Sequence, residues 1–314
     1  MGDFVFGVNL VLPLFIVILV GVILREKKIF GDETVNAITT FVYYVALPAK
    51  LFADTISIDF TKAFDYKFVL YAIVGSLLSF LVLLIIVPIF VKDRKKISAM
   101  VHAGFRGNFV FVGIPLVENI LNKSPVVPTS LVIVFVIPLY TFLAVGFLTY
   151  FNKNSDEFKL SKLLFETFTN PLIFTILFAL PFSIFRVEFP SFVGSSLSLL
   201  SRSSTPLALL LIGASLRLET FKGDSLKIIL VAIYKTIFQP ILFVPLAIRL
   251  GFSVDAVVTI FVLFSVPCAN NVYIMTKKLG GDAELASSIT VISLIITLVT
   301  LPVGIFLLAR AGII

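Results

Sequence analysis

Two stretches decide how this chain folds: Gly104-Phe105-Arg106-Gly107-Asn108-Phe109-Val110-Phe111-Val112-Gly113-Ile114-Pro115 and Ser265-Val266-Pro267-Cys268-Ala269-Asn270-Asn271. Each lies inside a long apolar run. The first carries several glycines and a proline, which a continuous helix tolerates badly: ~1 kcal/mol per glycine and ~3 per proline relative to alanine. The second sets side-chain amides directly behind a proline. An interrupted helix frees backbone groups, and at membrane depth these survive only where protein or a water-filled cavity surrounds them. Freed N–H groups at a helix start carry partial positive charge and favour an anion. Unwound carbonyls suit Na⁺ or a proton-bearing group. The two stretches therefore predict a solute site between them.

The rest of the chain supplies the membrane. Of 314 residues, 59% are hydrophobic and 14% are charged, too apolar for a water-soluble domain of this length. A spanning helix uses ~20 apolar residues. Apolar runs predict an all-α polytopic membrane protein with about ten spans: Phe4–Leu24, Val35–Ala53, Phe68–Val91, Ile97–Leu121, Val126–Tyr150, Phe168–Phe185, Phe192–Leu216, Leu226–Ile248, Ala256–Met275 and Ala286–Ala309. The fourth and seventh are weak by hydropathy. Both are required by charge: with ten spans, about fifteen Lys and Arg fall in the loops of one face and about six on the other. Arg25, Lys27, Lys28, Lys92, Arg94, Lys95, Lys96, Lys153, Lys159, Lys162, Arg217, Lys222, Lys227, Lys277 and Lys278 mark the cytoplasmic face, against Lys62, Lys67, Lys123, Arg186, Arg249 and Arg310. Both termini are expected outside, in a cell membrane, with the first span a signal anchor rather than a cleaved leader. The net charge of +7 is thus a topology signal and not a nucleic-acid footprint.

Five spans per half put the second half upside down relative to the first, an arrangement typical of secondary transporters. The joint falls between residues 1–152 and 153–314. Prolines match across it: Pro48 with Pro206, Pro115 with Pro267 at a nearly equal offset, and Pro138 with Pro302. The single Cys268 and single His102 exclude a disulfide within the chain and a His/Cys zinc site. His102 is placed at the interface.

Several side chains are candidates for the site. Asn108 can donate to a carboxylate or satisfy a carbonyl freed at the break, and Asn270 and Asn271 carry the same two readings. Arg106 either attracts an anion or snorkels to the cytoplasmic edge. Gly113, Pro115 and Pro267 shape the breaks, and Ser265 with Asn270 and Asn271 offers a partial Na⁺ set. Glu118, expected in the first turn after a break at Pro115, either complements that helix start or carries a coupled proton. Lys50 is read as snorkelling. Arg202 and Lys235 are placed deeper, paired with an acid or with helix C-terminal carbonyls.

These residues bring a family into view. Arg106-Gly107-Asn108 through Gly113-Ile114-Pro115-Leu116, Asn170-Pro171, Thr205-Pro206 through Gly213, and Pro267-Cys268-Ala269-Asn270-Asn271 ahead of Gly280-Gly281-Asp282 resemble the auxin efflux carrier family, whose prokaryotic members include malonate and other organic-acid permeases. The resemblance covers nearly the whole chain. It implies two inverted five-helix repeats with broken helices four and nine crossing at Pro115 and Pro267. It implies elevator-like alternating access, with helices 1, 2, 6 and 7 as scaffold and homodimer contact and helices 3–5 and 8–10 as transport domain. It also places Asn108 against a substrate carboxylate. Auxin itself is not implied.

The reading is a secondary carrier of small carboxylate anions in the lipid bilayer, coupled to a proton, to Na⁺ or to neither, and needing no cofactor. A Na⁺-coupled symporter of the bile-acid type is the alternative. A membrane enzyme would need a nucleophile and base, and Ser203 or Ser204 with Lys235 is the weak option. A non-transporting sensor would carry an output domain, and none is read here.

Overall fold

The computed structural model describes residues 2–58, 64–123, 126–152, 169–216 and 225–314. Among these residues there are helices and no strand, only one isolated bridge. In chain order the helices are α1 (Gly2–Glu26), α2 (Asp32–Ile56), α3 (Tyr66–Phe90), α4 (Arg94–Phe105), α5 (Phe109–Leu121) and α6 (Val127–Phe151). There follow α7 (Pro171–Ile184), α8 (Ser191–Ala214), α9 (Ser225–Arg249), α10 (Val254–Ser265), α11 (Asn271–Lys278) and α12 (Ala283–Arg310). Lys62, Lys153, Lys159, Lys162, Arg217 and Lys222, which carry part of the charge argument, lie outside the described residues, as does the joint after residue 152.

Among the described residues, seven helices are long and apolar enough to cross a membrane: α1, α2, α3, α6, α8, α9 and α12. The 25 residues of α3 reach about 37 Å, beyond the ~30 Å of a hydrocarbon core. Their outward faces carry Leu70, Ile85, Phe90, Leu199 and Ile241 in exposed positions, as a lipid-facing surface requires. The fourth and ninth predicted spans are each split in two, into α4 with α5 and α10 with α11. The sixth is the short α7. The second runs to Ile56, three residues past its predicted end, and so brings Asp54 into the helix.

The ninth span breaks at Pro267, where the sequence places the break. The fourth does not break at Pro115. It breaks earlier, at Arg106-Gly107-Asn108, and α5 runs through Pro115 without interruption. The reason is a widened turn. Four π segments, Val42–Ala46, Phe109–Gly113, Val132–Val136 and Tyr234–Phe238, each end two residues before a proline, namely Pro48, Pro115, Pro138 and Pro240. A helical proline lacks its own N–H and crowds the carbonyl four residues back. In each case the residue preceding the proline donates its N–H five residues back: Leu47 to Val42, Ile114 to Phe109, Ile137 to Val132 and Gln239 to Tyr234. The wider turn absorbs the proline, and no break is needed. Glu118 consequently sits well inside α5 rather than in the first turn after a break.

Helix packing is tightest where glycines replace side chains. α1 packs on α8 and α12, and α2 packs on α7 and α8. A Cβ on Gly213 of α8 would lie 1.9 Å from the Ile18 carbonyl oxygen of α1, and one on Gly21 of α1 would lie 2.1 Å from that of Leu210. Backbone meets backbone here, so nothing can yield. Gly213→Ala should destabilise the protein by about 1–3 kcal/mol or more through overpacking, whereas Gly194→Ala, which has open space around it, should leave stability intact. The chain has no tryptophan, so thermal loss of the monodisperse peak in detergent is the suitable measurement. Equal midpoints for the two variants would contradict the close contact.

Candidate functional site

The two interruptions are bonded to each other. Gly107 and Cys268 form an antiparallel bridge. The Asn108 N–H donates to the Pro267 carbonyl at 2.8 Å, and the Ala269 N–H donates to the Arg106 carbonyl at 3.0 Å. The Cys268 N–H reaches Ser293 Oγ of α12 at 3.0 Å. Each break thus satisfies groups that the other exposes, which is how irregular backbone persists at this depth.

The helix ends around the breaks fall into two sets. The C-terminal ends of α4 and α10 are closed by α9. Fully buried Lys235 donates to the carbonyls of Leu263 at 3.1 Å and Phe264 at 3.3 Å, and to Gln239 Oε1 at 3.1 Å. Gln239 Nε2 donates to the Gly104 carbonyl at 2.8 Å. A cation at a helix C-terminus is electrostatically favourable. This is the carbonyl pairing that the sequence allows for Lys235, and it removes the Ser–Lys dyad. Ser204 Oγ, for its part, donates to the Ser201 carbonyl at 2.7 Å.

The N-terminal ends of α5 and α11 are left without side-chain caps. Asp65 caps α3, Asp93 caps α4, Asn170 caps α7, Ser253 caps α10 and Asp282 caps α12, while α2, α6 and α8 share the lack of a side-chain cap. The starts of α5 and α11 differ from those three in lining a cavity of about 520 Å³ between α2, α4, α5, α6, α7 and α11. Arg106, Asn108, Asn270 and Asn271 line it, joined by Tyr43 of α2 and Asn170. Asn108 Nδ2 approaches Asn270 Oδ1 at 3.5 Å. A second cavity of about 320 Å³, between α1, α2, α8, α11 and α12, shares Thr39, Phe111, Asn270 and Asn271 with the first.

Arg106 does not snorkel. It is 7% exposed, and Nη1 donates to Met275 Sδ at 3.0 Å. Among the described residues no carboxylate stands within ion-pair distance of it. A buried guanidinium whose acceptor is a thioether is poorly compensated. An anion in the cavity would supply the missing partner.

The remaining predicted residues stand apart from the cavity lining. Gly113 and Pro115 are buried in α5, where a Cβ on Gly113 would meet the Phe109 ring at 2.7 Å. Pro267 contributes its carbonyl to the Asn108 bond. Ser265 is buried and donates to the Phe261 carbonyl of its own helix. Glu118 pairs with Lys50 at 2.7 Å, so Lys50 is bound between helices rather than reaching for the interface. Arg202 is exposed on the outer surface of α8, near the middle of the helix. His102 is fully buried among the helices, with Nδ1 3.1 Å from Thr276 Oγ1 of α11. Sequence reasoning missed Tyr43, Thr39, Thr141 and Met275 in the cavity wall. Tyr43 alone had a signal, as a hydroxyl one turn before Pro48.

Comparisons with known proteins point to membrane transport. The family model described as "Membrane transport protein" matches residues 6–305. A protein of Rhizobium meliloti (strain 1021) named "Putative malonate transporter" is 26% identical over 318 residues, covering 97% of this chain and 96% of its own.

Lys235→Met should leave the Leu263 and Phe264 carbonyls buried without donors, at about 1–3 kcal/mol each. A loss of about 2–6 kcal/mol in thermal stability is expected. A variant as stable as the parent would show that α9 does not hold the breaks.

Proposed function

The chain belongs to the membrane transport protein family, and from that premise we propose that it is a secondary carrier of small carboxylate anions working by alternating access. It is a transporter and not an enzyme. The observation that carries the substrate class is Arg106, buried in the cavity wall with a sulfur acceptor and no carboxylate partner among the described residues. The uncapped starts of α5 and α11 and the amides of Asn108 and Asn270 add to it. A substrate carboxylate would take a charge-assisted bond from Arg106 and neutral bonds from the amides. The relative's name makes malonate the first probe.

In this reading the chain is a ten-helix inverted repeat. α4–α5 and α10–α11 are the crossing broken helices, joined at Gly107 and Cys268. Mutual packing of α1 with α8, and of α2 with α7 and α8, supports a scaffold of predicted helices 1, 2, 6 and 7 that also carries a homodimer contact. The other helices form a moving domain, in a cell membrane with both termini outside. The cavity mouth bears exposed Lys278, on the face where the basic loops gather, which supports reading this conformation as inward-open. Lys235 occupies the freed carbonyls of α10, where a Na⁺ would otherwise sit. That favours proton coupling, or none, over the Na⁺ alternative.

Purified protein in liposomes should exchange labelled malonate across the membrane. Arg106→Gln should weaken malonate binding about tenfold or more, the loss of one hydrogen bond to a charged group at ~1.5–3 kcal/mol. Asn108→Ala should weaken it by a smaller factor, at ~0.5–1.5 kcal/mol. Both should keep the parent's thermal stability without ligand. Unchanged malonate affinity in Arg106→Gln would remove the anion site from this cavity.

A further inference from the structure

We infer that Lys50, Asp54 and Glu118 form a proton-releasable latch that holds the cavity in its present opening; the inference rests on the alternating-access reading above. The three groups are largely withdrawn from solvent: 9% exposure for Lys50 and 17% for each carboxylate. Lys50 and Asp54 stand one turn apart on α2, with Nζ 3.4 Å from Asp54 Oδ2. Glu118 comes from α5, with Oε1 2.7 Å from the same Nζ. One ammonium therefore holds two carboxylates, one on its own helix and one across the gap.

The placement gives the triad its consequence. α2 lines the cavity through Thr39 and Tyr43, and α5 lines it through Asn108, Phe109 and Phe111. Lys50 lies seven residues beyond Tyr43, about 10 Å along the axis, and Glu118 ten residues beyond Asn108, about 15 Å. The pair thus ties the two helices together beyond the closed end of the cavity, away from the mouth at Lys278. Any motion that opens that end must separate α2 from α5.

Charge arithmetic makes the latch releasable. When Glu118 takes a proton from the aqueous phase beyond the closed end, the charge attraction across the gap is lost. Lys50 keeps Asp54 on its own helix, so its ammonium is not left unpaired. The reverse step returns the proton and restores the pair. Among the described residues, the other charged groups around this end of α5 are Lys123 and Asp255, paired with each other at 2.7 Å. α1 meets α5 through a neutral contact, Asn119 Nδ2 on the Leu10 carbonyl at 3.1 Å.

The test reads cavity access without needing a substrate. Val145 lines the cavity from α6, and native Cys268 is buried, so Val145→Cys serves as reporter for a membrane-impermeant maleimide applied from the mouth side. Rates are corrected for thiol ionisation with an exposed control cysteine. Glu118→Gln, which mimics the protonated latch, and Lys50→Gln should each slow labelling about fivefold or more, the lower range of intersite coupling. Lowering the pH should slow the parent and Asp54→Asn but not Glu118→Gln. Lys50→Cys/Glu118→Cys, joined by a short thiol cross-linker, should label at the parent's rate. Parental labelling in Glu118→Gln, or slowing in Asp54→Asn equal to that in Glu118→Gln, would overturn the latch. Absence of malonate exchange in a parent whose labelling responds as described would instead sink the carrier reading and leave the latch standing.

Discussion

Two backbone hydrogen bonds hold this architecture together: Asn108 N–H to the Pro267 carbonyl and Ala269 N–H to the Arg106 carbonyl. Without them, each interrupted helix would bury unpaired peptide groups in a low-dielectric interior, at a cost of several kilocalories per mole. With them, two faulty helices become one satisfied joint. The joint fixes where α4, α5, α10 and α11 end, and those ends define the cavity.

The joint is electrostatically lopsided. Four helix ends converge on it, two negative and two positive. The negative ends are occupied from within the protein, by Lys235 on α10 and Gln239 on α4. The positive ends carry no side-chain cap and border the cavity, with Arg106 beside them. Among the described residues the cavity lining holds Arg106 and Lys278 and no carboxylate. The π turn of α9 that absorbs Pro240 spans Tyr234–Phe238 and so contains Lys235, with Gln239 next in the chain. The proline that widens α9 therefore sits beside the two side chains that close the joint.

How much of this was legible in the sequence depended on what kind of signal each feature leaves. Long apolar runs and basic loops leave strong ones, and α1, α2, α3, α6, α8, α9 and α12 lie where those runs lie. The break at Pro267 was also readable, because proline, amides and a serine coincide there. The break in the fourth span was misplaced because Pro115 looked like the stronger disruptor. Yet a proline can be absorbed by a wider turn within its own helix, whereas Gly107 answers to a partner far along the chain. Arg106, Asn108, Asn270 and Asn271 could be named from their polarity in apolar surroundings. Thr39, Thr141 and Met275 could not, since on an apolar helix nothing local separates a wall residue from one facing lipid. The pairing of Lys50 with Glu118 was invisible for the same reason: it depends on which helices meet.

Gly107 shows how tightly the joint constrains the residues beside it. A Cβ there would lie 3.0 Å from Lys235 Cε, Lys235 Nζ and Val266 Cγ2 at once. An added Cβ would require Lys235 and Val266 to give way by a few tenths of an ångström. Glycine thus leaves room for Lys235, and Lys235 serves the carbonyls that the Pro267 break exposes. Arg106 and Asn108 flank that glycine, and the paired strands fix their direction more firmly than a helix surface would. The extended backbone of Arg106, at φ −91° and ψ 105°, turns its side chain out of the helical register and toward the cavity. The three-residue run Arg106-Gly107-Asn108 is therefore one device: its middle residue permits the joint, and the joint turns its outer two to the cavity.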